Sequence, residues 1–287
     1  MISQFIDVDG RRARVKVAGD DAAPPLVLVH GISSSLEDWA AVISAFAVDY
    51  RVIALDVPGF GYSDPVPDAY SINALADAAI GVLDALGETR PAHWIGNSLG
   101  GAISLAASVR RPDRVTSLIL ISPAGFGSSV TPLLRSLTIP VLGKVIAAHP
   151  SRSSVTMLHR QVFADPALVT RYRIDHAMAI SAETDADEFS RRVAAQVASI
   201  GGVRKQWRRE LLAQAAAAPV PTLVIWGAKD RILPADHAAS VRRELPHADL
   251  VVLPGVGHMA QLEVPERFLA IAEPFLIASA AEATASR

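Results

Sequence analysis

Short, unbroken apolar runs alternate with amphipathic segments along most of this chain. Uninterrupted runs of this kind are typical of strands buried on both faces, as in a parallel sheet covered by helices. They occupy residues 26–29, 52–55, 92–95, 117–121, 222–226 and 250–253. Between them, apolar residues recur at helical spacing in residues 36–46, 72–86, 100–110, 235–245 and 265–280. The alternation predicts an α/β fold with a doubly wound, mostly parallel sheet and right-handed crossovers.

Two segments depart from this alternation. Residues 4–8 and 14–17 flank Asp9-Gly10, a strong tight-turn signal, and predict an antiparallel hairpin. Further along, helical patterns follow one another without a strand, at residues 131–137, 141–148, 154–163, 166–180, 187–199 and 203–217. We therefore predict an α/β core formed by residues 1–126 and 213–287. A helical cap at residues 127–212 is expected over the sheet edge where ligands bind.

Composition narrows the classes of function. The chain has 287 residues, of which 51% are hydrophobic and 20% charged, as in a globular protein with a large core. Its formal net charge is −2, so we expect no binding to nucleic acid. Cysteine is absent, which excludes disulfides and thiolate chemistry. Neither a signal-peptide pattern nor a membrane-length apolar run occurs, so we expect a cytoplasmic protein without an integral membrane segment.

A serine stands between glycines where the apolar run 92–95 meets the small residues of 100–110. Gly96-Asn97-Ser98-Leu99-Gly100 is typical of a nucleophile elbow, a strand-to-helix turn too tight for side chains two residues before and after the serine. A glycine-rich turn with a capping serine gives the same motif, so the motif alone is weak. The elbow interpretation predicts an accessible Ser98 hydroxyl, with the Leu99 amide beside the oxygen of any carbonyl it attacks.

A nucleophilic serine needs a base, and the base needs an acid that orients it. Asp230 follows the run 222–226, and His258 lies in a glycine-rich loop after the run 250–253. All three side chains are expected at the same sheet edge, so we predict the catalytic triad Ser98, Asp230 and His258. Asp236 and Asp249 are competing acids, but Asp236 fits a first helical turn and Asp249 the opposite strand end.

The loop after the first core strand completes the predicted site. We assign the second oxyanion donor to the amide of Ile32, beside that of Leu99. Ser33, Asn97 and Met259 are candidate substrate-binding residues because they adjoin the oxyanion loop, the serine and the histidine. Acyl transfer at such a site requires no metal and no organic cofactor.

Together these motifs resemble the α/β-hydrolase superfamily over nearly the whole chain. The matching segments are His30-Gly31 with Trp39 nine residues on, residues 56–64, residues 96–101, residues 226–230, and Gly257-His258 followed by residues 263–266. The resemblance implies an α/β-hydrolase fold whose cap corresponds to the helical insertion and shapes substrate choice. Serine at position 98 is unlike the haloalkane dehalogenases and soluble epoxide hydrolases, which have aspartate there.

Two groups within the superfamily are similar to this chain. Small carboxylesterases share the style of loop 30–35, and meta-cleavage product hydrolases, which break a carbon-carbon bond beside a ketone, share residues 96–98. The second group typically has Gly-Pro-Gly in the first loop and Trp after the histidine, where this chain has residues 33–35 (Ser-Ser-Ser) and Met259. Their cap arginine, which holds a substrate carboxylate, corresponds to Arg171 or Arg173.

We therefore predict a serine hydrolase that cleaves carboxylic esters of small to medium apolar substrates. Carbon-carbon bond hydrolysis of meta-cleavage products is the alternative within the same fold. A ligand receptor with a slow or vestigial triad is the alternative from another class, because a fold does not fix a function. The expected partner is a small-molecule ester or related acyl compound, and homo-oligomerisation stays open.

Overall fold

An eight-stranded sheet forms the centre of the structure. The computed structural model describes residues 2–139, 151–183 and 186–285. Its strands are β1 (Gln4–Val8), β2 (Arg11–Ala18), β3 (Pro25–Val29), β4 (Arg51–Leu55), β5 (Ala92–Asn97), β6 (Val115–Ile121), β7 (Ala198–Ser199), β8 (Gly202–Val203), β9 (Thr222–Gly227) and β10 (Asp249–Leu253). The spatial order in the main sheet is β1-β2-β4-β3-β5-β6-β9-β10. The β1–β2 and β2–β4 pairs are antiparallel and the others parallel, which confirms the predicted fold class.

Helices cover both faces of this sheet. They are α1 (Ile43–Phe46), α2 (Ile72–Ala85), α3 (Leu99–Arg110), α4 (Pro132–Leu137), α5 (Arg152–Val162), α6 (Arg171–Ser181), α7 (Ala186–Val197), α8 (Lys205–Ala217), α9 (Ala238–Glu244), α10 (Ala260–Glu263) and α11 (Pro265–Ala285). One apolar cluster joins the sheet to α2, α3 and α8, and a second joins it to α1 and α11. Every residue of β5 is buried. Ser98, directly after β5, therefore stands at the middle of the carboxyl edge.

The described residues between β6 and β9 are mainly helical, and they also contain a feature that the sequence did not indicate. β7 and β8 pair as a two-stranded antiparallel ribbon. Gly202, with φ 104°, allows the tight turn that joins the two strands. The predicted helix at residues 141–148 lies outside the described residues. The predicted cap boundary at residue 212 falls inside α8, and the division into core and cap stays a prediction.

Two of the predicted core helices are divided in the structure. The segment 36–46 contains a 3-10 helix, Leu36–Trp39, followed by α1. The segment 235–245 begins with the 3-10 helix Ala235–His237 and continues as α9. A single turn of either helix type places apolar residues on one face, so the periodicity alone did not separate them. In the part of the chain that is described, no helix has the length and apolar character needed to cross a bilayer.

Candidate active site

The turn from β5 into α3 places Ser98 in a conformation that few side chains adopt. Ser98 has φ 57° and ψ −117°, and its amide donates to the Ile121 carbonyl oxygen at 2.9 Å. A Cβ atom at Gly96 would lie 2.3 Å from the Gly100 carbonyl oxygen, and one at Gly100 would lie 2.1 Å from that of Val29. Both positions therefore require glycine. This crowding is the steric signature of a strained strand-to-helix turn that presents its serine.

Asp230 and His258 form a buried pair at neighbouring strand ends. His258 Nδ1 donates to Asp230 Oδ2 at 2.7 Å, since a carboxylate only accepts. The other oxygen, Asp230 Oδ1, accepts the amides of Ile232 at 2.8 Å and Leu233 at 2.9 Å. These bonds fix the carboxylate, and His258 Nε2 has no hydrogen-bond partner among the described residues, which leaves it as an acceptor. An imidazole held in this tautomer can take a proton from a hydroxyl.

One cavity of about 590 Å³ gathers most of the residues that the sequence analysis singled out. Its walls include Ile32, Ser33, Asn97, Ser98, His258 and Met259. Leu99 is buried and is not among the residues that line the cavity, so the oxyanion role of its amide stays a prediction. The geometry thus brings a strained serine, a carboxylate-bound histidine and the predicted oxyanion loop to the same space.

Asn97 makes contacts that the sequence did not reveal. Its Nδ2 donates to the Ile121 carbonyl oxygen at 3.1 Å and to the His258 carbonyl oxygen at 3.0 Å. The side chain therefore ties the loop that carries His258 to the end of β5. Although Asn97 lines the cavity, its amide nitrogen is already used by the protein.

His30 braces the loop that carries Ile32. Its Nδ1 donates to the Gly31 carbonyl oxygen at 2.7 Å, and its Nε2 accepts the Val57 amide at 2.9 Å. Both ring nitrogens are occupied, which agrees with the bracing role. Ser33, two residues after Gly31, has φ 54° and also lines the cavity.

One end of the cavity is charged, and of its residues only Arg173 was indicated by the sequence. Glu37, Asp38, Arg173 and His176 line it, the first two from the 3-10 helix Leu36–Trp39 and the others from α6. Burial raises the pKa of Glu37, but hydrogen bonds from His176, Arg14 and Ser35 outweigh it and hold that pKa well below its usual range. A periodicity argument does not reveal such a cluster, because its members come from distant parts of the chain.

The two candidate cap arginines have different surroundings. Arg171 is exposed, pairs with Asp175 at 3.5 Å and does not line the cavity. Arg173 lines the cavity, and its guanidinium carbon lies 5.2 Å from the centre of the Phe163 ring. Only Arg173 of this pair can therefore meet a ligand near Ser98. Within residues 2–139, 151–183 and 186–285, no group of three or more His, Cys, Asp or Glu side chains is arranged to hold a metal ion.

Comparison with known proteins gives the family. Residues 24–265 match the family model described as the alpha/beta hydrolase fold. The chain belongs to the α/β-hydrolase superfamily. The superfamily resemblance found in the motifs is thereby confirmed.

The relatives of this α/β hydrolase are named for several different activities. It is 37% identical over 264 residues to the dihydrolipoyllysine-residue acetyltransferase component of the acetoin cleaving system of Pseudomonas putida. The match covers 92% of this chain but only 66% of that relative, which is less than two thirds of its length. It is 32% identical over 276 residues to 2-hydroxymuconate semialdehyde hydrolase of Pseudomonas sp. strain CF600, covering 92% of this chain and 90% of the relative. A solved meta-cleavage product hydrolase from Pseudomonas fluorescens superposes with a TM-score of 0.80 at 26% identity, covering 97% and 98% of the two chains.

Proposed function

We propose that this α/β hydrolase cleaves carboxylic esters through an acyl-enzyme formed on Ser98. The observation that carries the proposal is the 2.7 Å bond between His258 and buried Asp230, with His258 and Ser98 lining one cavity. A histidine oriented by a carboxylate beside a serine on a strained turn is suited to acyl transfer. The relative named for acetyl transfer supports an acyl group as the unit transferred.

In the proposed cycle, His258 Nε2 takes the Ser98 proton while the serine oxygen attacks the ester carbonyl carbon. The amides of Ile32 and Leu99 donate to the oxyanion, and losing one such donor typically costs about 3 kcal/mol of transition-state stabilisation. His258 then protonates the departing alcohol. Water, deprotonated by His258, attacks the acyl carbon and releases the acid and Ser98. Because every proton transfer uses His258, the cycle needs no metal and no organic cofactor.

We assign the substrate cap to residues 127–212. Helices α5 and α6 supply apolar cavity walls that include Leu158, Val162 and Ile180. The amide of His258 donates to the Val162 carbonyl oxygen at 2.8 Å, which joins the cap to the loop of the proposed base. Apolar walls of this kind favour acyl chains of small to medium size.

The test is hydrolysis of p-nitrophenyl esters from acetate to palmitate by wild type and the Ser98→Ala variant. We expect turnover with a chain-length optimum in wild type and a loss of at least about 1000-fold in the variant. Ser122→Ala is a matched control, since Ser122 is a buried serine at the end of neighbouring β6 that does not line the cavity. Wild-type turnover by Ser98→Ala would refute the proposal. Absence of a burst with an activated ester would instead favour a receptor.

Arg173 favours carbon-carbon bond hydrolysis as a second candidate. A cavity guanidinium can hold the carboxylate of a 2-hydroxy-6-oxo-dienoate, and the 32% identical relative is named for such chemistry. The loss of dienoate absorbance measures this reaction directly. We expect Arg173→Leu to raise KM for the dienoate at least tenfold, about the value of one charged hydrogen bond, while Arg171→Leu leaves it unchanged. No dienoate turnover in wild type would exclude this candidate.

A further inference from the structure

Asp38 places a carboxyl group in the wall of the cavity without an ion pair among the described residues. Its Oδ2 accepts the hydroxyl of Ser34 at 2.6 Å. Across the described residues, no cation lies within ion-pairing distance of Asp38 and no second side-chain hydrogen bond reaches it. Burial raises the pKa of this carboxyl above its usual value, against the hydrogen bond from Ser34 and electrostatic attraction to Arg173 and His176. The residue is half-buried, so its carboxyl group reaches the cavity, where a bound ligand would replace the water that satisfies it.

The neighbouring Glu37 is a carboxylate in the same wall, and the protein itself supplies its ion pair and hydrogen bonds. It forms an ion pair with Arg14, accepts the Ser35 hydroxyl at 2.6 Å and lies 3.3 Å from His176 Nε2. Those partners belong to β2, to the first loop and to α6, so Glu37 joins the core to the cap helices. Asp38 contributes nothing comparable to the architecture. Its placement is therefore better explained by a ligand than by folding.

The atoms around Asp38 define the chemistry of that ligand. The Ser34 hydroxyl donates its hydrogen to Asp38. The Ser34 hydroxyl oxygen and the Asp38 carboxyl oxygens can therefore accept further hydrogen bonds. Both residues line the cavity that contains Ser98 and His258. Arg173 and His176 line the same cavity, but among the described residues neither is hydrogen-bonded to Asp38. These acceptors therefore match a group that donates hydrogen bonds, namely a hydroxyl or an ammonium.

We propose that Asp38 and Ser34 form a subsite that selects esters bearing a hydroxyl or ammonium group at a distance from the scissile carbonyl. The subsite rests on the proposed ester hydrolysis and specifies its substrate class. Apolar walls hold the carbon chain, and Asp38 accepts the donor at the end of that chain. A methyl group in the same place leaves the carboxyl group unsatisfied, so the site discriminates against the fully apolar ester.

The experiment compares pairs of esters that differ only in this group. Methyl esters of ω-hydroxy and ω-amino acids of six to ten carbons are each paired with an alkanoate ester in which methyl replaces the donor. A second series carries the same change in the alcohol of butanoate esters. Acid release, measured by chromatography, gives kcat/KM. We expect wild type to prefer the donor-bearing member by about tenfold at one or more chain lengths, the value of one hydrogen bond to a charged group.

Three variants assign the preference to the subsite. Asp38→Leu is expected to bring the ratio to about one, and its thermal melting, compared with that of wild type, shows that the variant folds. Asp38→Asn retains a neutral acceptor, so it should lower the preference for ammonium more than that for hydroxyl. Asp113→Asn removes an equal charge from the exposed surface and should leave every ratio unchanged.

Binding to Ser98→Ala keeps this test separate from that of the proposed function. Calorimetry with the same pairs should show tighter binding of the donor-bearing ester, lost in Ser98→Ala combined with Asp38→Leu. Ratios near one for all pairs in wild type, with Ser98-dependent turnover intact, overturn the subsite and leave the esterase standing. If no ester is turned over, the esterase fails, and the binding pairs alone support or overturn the subsite.

Discussion

Replacing Asn97 with alanine separates two roles of this side chain, positioning His258 or contacting substrate. The change removes Nδ2 and its bonds to the carbonyl oxygens of Ile121 and His258. The Ile121 oxygen keeps the Ser98 amide at 2.9 Å, so losing that bond costs about 1 kcal/mol. No other donor to the His258 oxygen is found within the described residues, so leaving it unpaired costs about 1–3 kcal/mol. We expect Asn97→Ala to lower the free energy of unfolding by about 2–4 kcal/mol.

The kinetic consequence follows from the same contacts. His258 retains its bond to Asp230 but loses a restraint on its own backbone, so the base samples geometries that do not reach Ser98. We expect kcat for a p-nitrophenyl ester to fall about 10- to 100-fold with KM nearly unchanged. Urea denaturation and steady-state kinetics on the same preparation measure both effects, with Ser122→Ala as the control for removing a buried polar group nearby. A variant with wild-type stability and kcat but a raised KM would refute this reasoning and favour direct substrate contact.

Two further predictions concern buried parts of the core. Burial lowers the pKa of His93 from 6.5 to about 4, so the unfolded chain binds its proton first as the pH falls. The stability from neutral His93 is complete above pH 6.5 and decreases by up to about 3 kcal/mol toward pH 4. Urea denaturation should show this pH dependence in wild type and lose it in His93→Gln; equal slopes would contradict the assignment. Gly100→Ala should prevent folding, since its Cβ would lie 2.1 Å from the Val29 oxygen; a soluble variant with normal melting would contradict the crowding.

The main sheet and the Ser98 turn were predictable because they depend on short-range rules. A strand covered on both faces must be apolar throughout, so β5 and β9 appear in the sequence as uninterrupted runs. The Ser98 turn requires glycine at positions 96 and 100 for steric reasons, and both lie within two residues of Ser98 in the sequence. Asp230 and His258 were then indicated by topology, since parallel strands bring their carboxyl ends to one edge.

The charged end of the cavity depends on contacts that no local pattern contains. Glu37 meets Arg14 and His176 only after β2, the first loop and α6 have packed together. The second bond of Asn97, to the His258 carbonyl oxygen, likewise joins distant parts of the chain. The β7–β8 ribbon is too short to show an alternating pattern. The sequence therefore indicated the residues of the proposed chemistry, but it did not indicate most of the contacts made by the side chains that line the cavity.

The sheet order has a consequence for the nascent chain. β9 pairs with β6, yet the whole helical segment from α4 to α8 is synthesised between them. Until β9 emerges from the ribosome, the edge of β6 is open, and an unpaired edge is a template for aggregation. During the same interval Ser98 is present without Asp230 or His258. An incomplete chain would therefore be prone to aggregation and would lack the proposed catalytic base. The last two strands, β9 and β10, complete the sheet, and the loops that follow them supply the proposed acid and base.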